Sequence, residues 1–135
     1  MALVPSPSHP SPGPRPAGEQ YFTSSPGSAE RPAEVELALP DLHLRLRTDA
    51  GVFSPGRIDP GTKLLLLELP PAELWAPGDV ADVGAGYGPI AVALARRPPE
   101  RTVWAIEVNE RARELCRTNA AAAGVADRVR VVAPE

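Results

Sequence analysis

Cysteine is nearly absent: Cys116 is the only one in 135 residues, so no internal disulfide can form. Histidine is scarce as well. His9 and His43 stand far apart, and with one cysteine they offer no cluster of metal ligands. Both shortages suit a cytoplasmic protein. Long apolar runs are missing too, since the leucine run at 64–67 is far too short to span a bilayer. The N-terminus lacks the basic start and apolar stretch of a secretory signal. No membrane role and no metal are therefore expected. Excess positive charge is also lacking. A net charge of −3 argues against a protein that coats nucleic acid non-specifically, because such binding works by releasing counterions from many phosphates. No DNA partner is expected, while a structured, locally read nucleic acid stays open.

Proline is what the chain has in plenty, 18 in all, and eight of them fall within residues 1–32. That stretch is almost entirely Pro, Ser, Gly and Ala. It cannot bury enough surface to offset its ordering entropy, so residues 1–32 read as a disordered tail. The PxxP spacing of Pro7-Ser8-His9-Pro10 suggests a recognition segment, but in so proline-dense a tail that spacing arises by chance.

From Glu34 the pattern becomes strict alternation. Val35, Leu37 and Leu39 line one run and Leu42, Leu44 and Leu46 the next, which predicts a β-hairpin turning at Pro40-Asp41. That register sets Glu36 opposite Arg45 and Glu34 opposite Arg47 on the outer face. The alternative makes His43, Arg45 and Arg47 a basic stripe for RNA, but the facing glutamates would largely neutralise it. A loop is predicted over 48–58. A helix follows, with Pro60 in its first turn and Pro70-Pro71 ending it. Its leucines wrap most of the circumference, which predicts packing on more than one side.

Residues 79–135 change character again. Residues 80–83 read as a short buried strand, 89–97 as a helix, and 102–106 as a second strand. Asn109 caps a third helix with apolar positions at Ala112, Leu115, Cys116 and Ala123, Gly124 stops it, and 129–132 form a third strand. Strand, helix, strand, helix, strand is an α/β pattern, half of a doubly wound parallel sheet with strand order 3-2-1. Three regions result: the tail at 1–32, the hairpin and helix at 33–78, and the half-sheet at 79–135.

The constellation that carries function is Asp82-Val83-Gly84-Ala85-Gly86-Tyr87-Gly88-Pro89, where the first strand hands over to a helix. Glycines there let a ligand approach the backbone closely. A Walker loop is excluded, because no Gly-Lys-Ser/Thr follows. A dinucleotide fingerprint needs a small residue where Pro89 stands, so an NAD-dependent oxidoreductase is a weak alternative. S-adenosyl-L-methionine fits better. It has no phosphate, and its ammonium and sulfonium favour a neighbouring carboxylate such as Asp82. Glu107 ends the second strand, where a carboxylate can accept both ribose hydroxyls.

With these motifs, Gly51-Val52-Phe53-Ser54, Gly56-Arg57-Ile58-Asp59-Pro60-Gly61-Thr62 and Ala105-Ile106-Glu107-Val108-Asn109 complete a resemblance to the small-domain class of S-adenosylmethionine-dependent methyltransferases. Its best-known members methylate the exocyclic N2 of guanine in small-subunit ribosomal RNA. The resemblance implies a partial Rossmann-like methyltransferase sheet preceded by a β-hairpin and a helix. It also implies a cofactor site at Asp82, Gly84, Ala85, Gly86, Tyr87, Gly88, Glu107, Val108 and Asn109, with ribosomal RNA as substrate. Phe53 is either a residue that helps close the site or a plain core phenylalanine. Members of the family grip the target amine with an Asn-Pro-Pro-aromatic motif. This sequence has none, since neither Asn109 nor Asn119 precedes proline. No catalytic residue is therefore assigned, and a truncated cofactor half-domain is expected. The alternative is a non-catalytic S-adenosylmethionine-binding or scaffolding fragment.

Overall fold

The computed structural model describes residues 32–49 and 57–135. The expectation of a disordered tail, apart from Pro32, lies outside these residues, as do Gly51, Val52, Phe53, Ser54 and Gly56. The elements are β1 (Pro32–Ala38), β2 (His43–Asp49), α1 (Pro60–Glu68), a 3₁₀ turn (Ala72–Leu74), β3 (Val80–Val83), α2 (Pro89–Arg96), β4 (Val103–Ile106), α3 (Glu110–Ala122) and β5 (Val129–Val132).

The hairpin has the register its alternation implies, with Glu36 opposite Arg45 and Glu34 opposite Arg47. Leu39 N–H donates to the Leu42 carbonyl at 2.8 Å to close the turn. Val35, Leu37, Leu39, Leu44 and Leu46 are buried. On the outer face Glu36 lies 3.5 Å from Arg45 and 3.7 Å from His43, so the stripe carries its own counter-charge. The boundaries differ slightly from expectation. β1 begins at Pro32 rather than after it, and Thr48 and Asp49 extend β2 instead of opening a loop.

Asp59 caps α1 by accepting the Thr62 N–H at 2.9 Å, and Pro60 occupies the first turn. The expected packing on several sides does not occur. Only Leu66 is buried, while Leu64 is 59% exposed and Leu65 and Leu67 are exposed too. A nine-residue helix makes about two and a half turns, and α1 lies against α2 along one line. Arg97, just past α2, fastens this corner. Its guanidinium binds Asp41 through two bonds of 2.8 and 3.2 Å and donates to the Leu66 carbonyl at 2.9 Å. Hairpin turn, α1 and α2 thus meet at one side chain.

The second sheet is parallel in the order β3-β4-β5. Helices α2 and α3 both pack on the face formed by Val80, Asp82, Val103, Ala105, Val129 and Val131, as two right-handed crossovers in one direction require. The opposite face carries Ala81, Val83, Trp104, Ile106, Arg130 and Val132, and Val83 there is 79% exposed. Residues 80–83 therefore do not form the buried strand expected. Among the described residues β3 pairs with β4 alone, Ala81 and Val83 on its outer face are exposed, and only Asp82 of its four residues is buried. The core runs instead through Ala91, Val92, Ala93 and Ala95 of α2 and Leu115, Cys116 and Ala120 of α3.

Candidate cofactor-binding site

The turn between β3 and α2 lies at the carboxyl ends of the parallel strands, where open α/β sheets bind their ligands. Gly84 and Ala85 both donate to the Ile106 carbonyl, at 2.8 and 3.1 Å, which hangs the turn on the end of β4. Gly88 takes φ +98° and is the N-cap of α2, followed by Pro89 in the first helical position. A Cβ at Gly88 would stand 2.7 Å from Cys116 Sγ, so helix α3 dictates glycine there. Gly84, at φ +76°, would point a Cβ into open space.

Asp82 sits on the helix-covered face, 9% exposed. It accepts the Ala91 N–H in the first turn of α2, which has no side-chain cap of its own from Gly88. Its Oδ2 is buried without a hydrogen-bond partner. Burial raises the Asp82 pKa above the ordinary carboxylate value; the Ala91 N–H opposes the rise and the charge of Glu107 adds to it. An ionised carboxylate so placed gains from a cation brought by a ligand.

Glu107 is 1% exposed at the end of β4. Its Oε1 accepts the Gly86 N–H at 2.9 Å and its Oε2 the Asn109 N–H at 2.7 Å, joining the glycine turn to the start of α3. A carboxylate has about four acceptor positions, so this bracing and ribose recognition are compatible. Asn109 caps α3, its side chain accepting from Ala112 N–H at 2.9 Å. Val108 between them is exposed and apolar. Arg113 reaches back to the carbonyls of Glu107 and Val108, both at 2.8 Å, and holds that short segment.

Tyr87 points inward, buried, and its hydroxyl is pushed up to about 12 by burial and then by the charge of Asp59, the cap of α1. Burial likewise pushes the Cys116 thiol up to about 12, so it stays a neutral packing group. The sequence-predicted residues thus gather around one turn and the end of β4. Arg113 and Asn119 escaped sequence reading. Asn119 interrupts the apolar stripe of α3 at a core position, which is the signal that marks it. Among the described residues no three His, Cys, Asp or Glu side chains could hold a metal, and no helix could cross a membrane. A groove of about 390 Å³ lined by Leu66, Trp75 and Arg97 lies at the opposite end of α2 and plays no part here.

A glycine turn on the first strand of a parallel sheet, with an acid closing the second strand, defines the Rossmann-like class of nucleoside-binding folds. Within that class the chain belongs to the methyltransferase small domain family, whose pattern it matches over residues 43–134. It is 37% identical to the protein YbxB of Bacillus subtilis over 109 residues, covering 79% of this chain and 52% of YbxB. It is 39% identical to ribosomal RNA small subunit methyltransferase C of Shewanella sediminis over 87 residues, covering 64% of this chain and 24% of that protein. Among solved structures it resembles the T. thermophilus 16S rRNA N2 G1207 methyltransferase, RsmC, determined with AdoMet and guanosine. The TM-score is 0.62 at 25% identity, covering 75% of this chain and 27% of that one. The chain thus spans about half the length of YbxB and about a quarter of the longer relatives.

Proposed function

We propose that this chain binds S-adenosyl-L-methionine at the turn 84–88 and serves methylation of ribosomal RNA, with an exocyclic amine of guanine as the acceptor. The observation that carries the reading is the pair of buried carboxylates flanking the glycine turn, one of them with an unpartnered oxygen. Glu107 would serve the ribose of this ligand or of a dinucleotide, whereas Asp82, buried beside the turn with an unpartnered oxygen, disfavours the pyrophosphate of a dinucleotide. The pair suits a ligand whose amino-acid end is an ammonium and whose reactive centre is a sulfonium. When bound, S-adenosyl-L-methionine supplies an electrophilic methyl group. Asp82 would face the ammonium end, Glu107 would accept the ribose hydroxyls, and Val108 would cover one side of the adenine. Gly84 leaves the space that the ligand backbone needs. The relatives named for ribosomal RNA methylation support the substrate, and with it a cytoplasmic place of action.

A second reading, a binding module without catalysis, is favoured by one observation: no asparagine in the 135 residues precedes a proline. An amine is methylated efficiently only when its lone pair is aimed at the methyl carbon in a dry site, and no group in the chain is assigned that work. Incubation of the chain with tritiated S-adenosyl-L-methionine and small-subunit ribosomal RNA separates the readings. Label recovered in guanine supports methylation by this chain. Cofactor retention without label in RNA supports the binding module, and retention of neither contradicts both.

A further inference from the structure

Asn119 lies in the third turn of α3, 1% exposed, and its amide is used in full. Oδ1 accepts the Arg47 N–H at 2.7 Å, and Nδ2 donates to the Arg47 carbonyl at 2.9 Å and to the Tyr87 carbonyl at 2.8 Å. The first two bonds treat the side chain as a peptide unit. Arg47 pairs with Glu34 across the hairpin but turns its own N–H and carbonyl away from β1, and Asn119 takes both as a third strand would. The remaining amide hydrogen reaches the carbonyl between Gly86 and Gly88, inside the glycine turn. Because both carbonyls require a donor, the amide has one orientation only.

We infer that Asn119 is a positioning residue for the cofactor turn: it fixes the Tyr87 carbonyl relative to the hairpin, and through it the peptide planes that face the ligand. The inference rests on the reading of 84–88 as the cofactor site. From the β4 side the same turn is held by Gly84 and Ala85 N–H on the Ile106 carbonyl and by Gly86 N–H on Glu107, and Gly88 N–H closes it internally on the Ala85 carbonyl at 3.1 Å. Asn119 links the turn to β2. The hairpin thereby becomes part of the cofactor machinery, although its own side chains lie outside the residues the motif marks.

Asn119→Asp is the informative change, since it keeps the shape and the acceptor for Arg47 N–H but places a carboxylate against two carbonyls. Asn119→Ser, which keeps one donor at shorter reach, serves if the aspartate variant does not fold. Amide hydrogen exchange in the ligand-free chain reads the effect. Exchange at Gly86 and Gly88 should quicken at least tenfold while that at Val103 and Ala105 of β4 changes less than twofold. The dissociation constant for S-adenosylhomocysteine should rise about tenfold in parallel. Uniform acceleration across the turn and β4, or unchanged exchange at both glycines, would show a merely structural asparagine and overturn the inference. The exchange arm does not depend on which ligand binds. Failure of the unaltered chain to take up S-adenosylhomocysteine would instead count against the cofactor reading alone.

Discussion

Gly84 and Gly88 carry similar positive φ values for different reasons. At Gly88 the constraint comes from below, where Cys116 Sγ would meet a Cβ at 2.7 Å; a Cβ at Gly84 would meet no such neighbour within 4 Å. A side chain in the left-handed region costs about 1–2 kcal/mol in either case. Gly84→Ala should therefore lose about that much stability, yet, if the turn holds the cofactor as proposed, weaken S-adenosylhomocysteine binding at least tenfold, because the added methyl group would stand in the space left for the ligand. Gly88→Ala should lose more stability, and Cys116→Ala in the same chain should restore part of it. Urea unfolding of the single and double variants checks this. Equal losses at the two glycines, with no recovery in the double variant, would show that the Cys116 contact is not what fixes Gly88.

These residue-scale features were unequally visible beforehand. Asp82, the three glycines and Glu107 announce themselves by type and spacing, because a turn that lets a ligand reach the backbone needs that composition. Asn119 shows only as a polar break in the apolar stripe of α3, and Arg113 does not show at all. Their roles depend on carbonyls 72 and six residues away, and no local pattern names the partner of the first kind. The bracing of the turn by Glu107 was equally hidden. Its spacing suggests ribose recognition, whereas the two backbone N–H groups it accepts are a product of how β4 and the turn lie together.

At the scale of elements, the alternation of 34–47 specifies both hairpin and register, since a slip by one residue would turn Val35, Leu37, Leu44 and Leu46 to solvent. The helix α1 misled for a physical reason. Leucine marks apolar surface without saying whether a partner covers it, and only Leu66 found one. What holds α1 in place is Arg97, which links Asp41 of the hairpin turn to the last turn of the helix. The Arg97 guanidinium bonded to Asp41 lowers its pKa below the ordinary 3.8. A carboxylate with a depressed folded-state pKa stabilises the fold above its unfolded value, and that contribution is lost as pH falls through the folded one. Asp41→Asn should accordingly lower the urea midpoint at neutral pH, with the deficit shrinking as pH drops below 3.8. Asp41 is half exposed, so the effect should be small. A deficit that stays constant down to acid pH would assign the role to shape rather than charge.

Across the whole molecule, one sheet face is covered by α2 and α3 and the other shows Val83 and Trp104 to solvent, while β3 pairs only with β4 among the described residues. Strand order 3-2-1 follows from the alternation of strands and helices, so this open edge was legible in the sequence. The uncovered face was not, because Val80-Ala81-Asp82-Val83 has the composition of a strand buried on both sides. What the molecule presents without ambiguity is a glycine turn between two buried acids. Whether this turn selects a cationic nucleoside over a pyrophosphate is read most directly by calorimetric titration of S-adenosylhomocysteine and of NADH into the chain and into Asp82→Asn. Saturable binding of S-adenosylhomocysteine is expected, with none of NADH and at least tenfold weaker binding by Asp82→Asn, which keeps the cap on α2 but loses the charge. Tighter binding of NADH, or an affinity for S-adenosylhomocysteine that Asp82→Asn leaves unchanged, would contradict this selectivity.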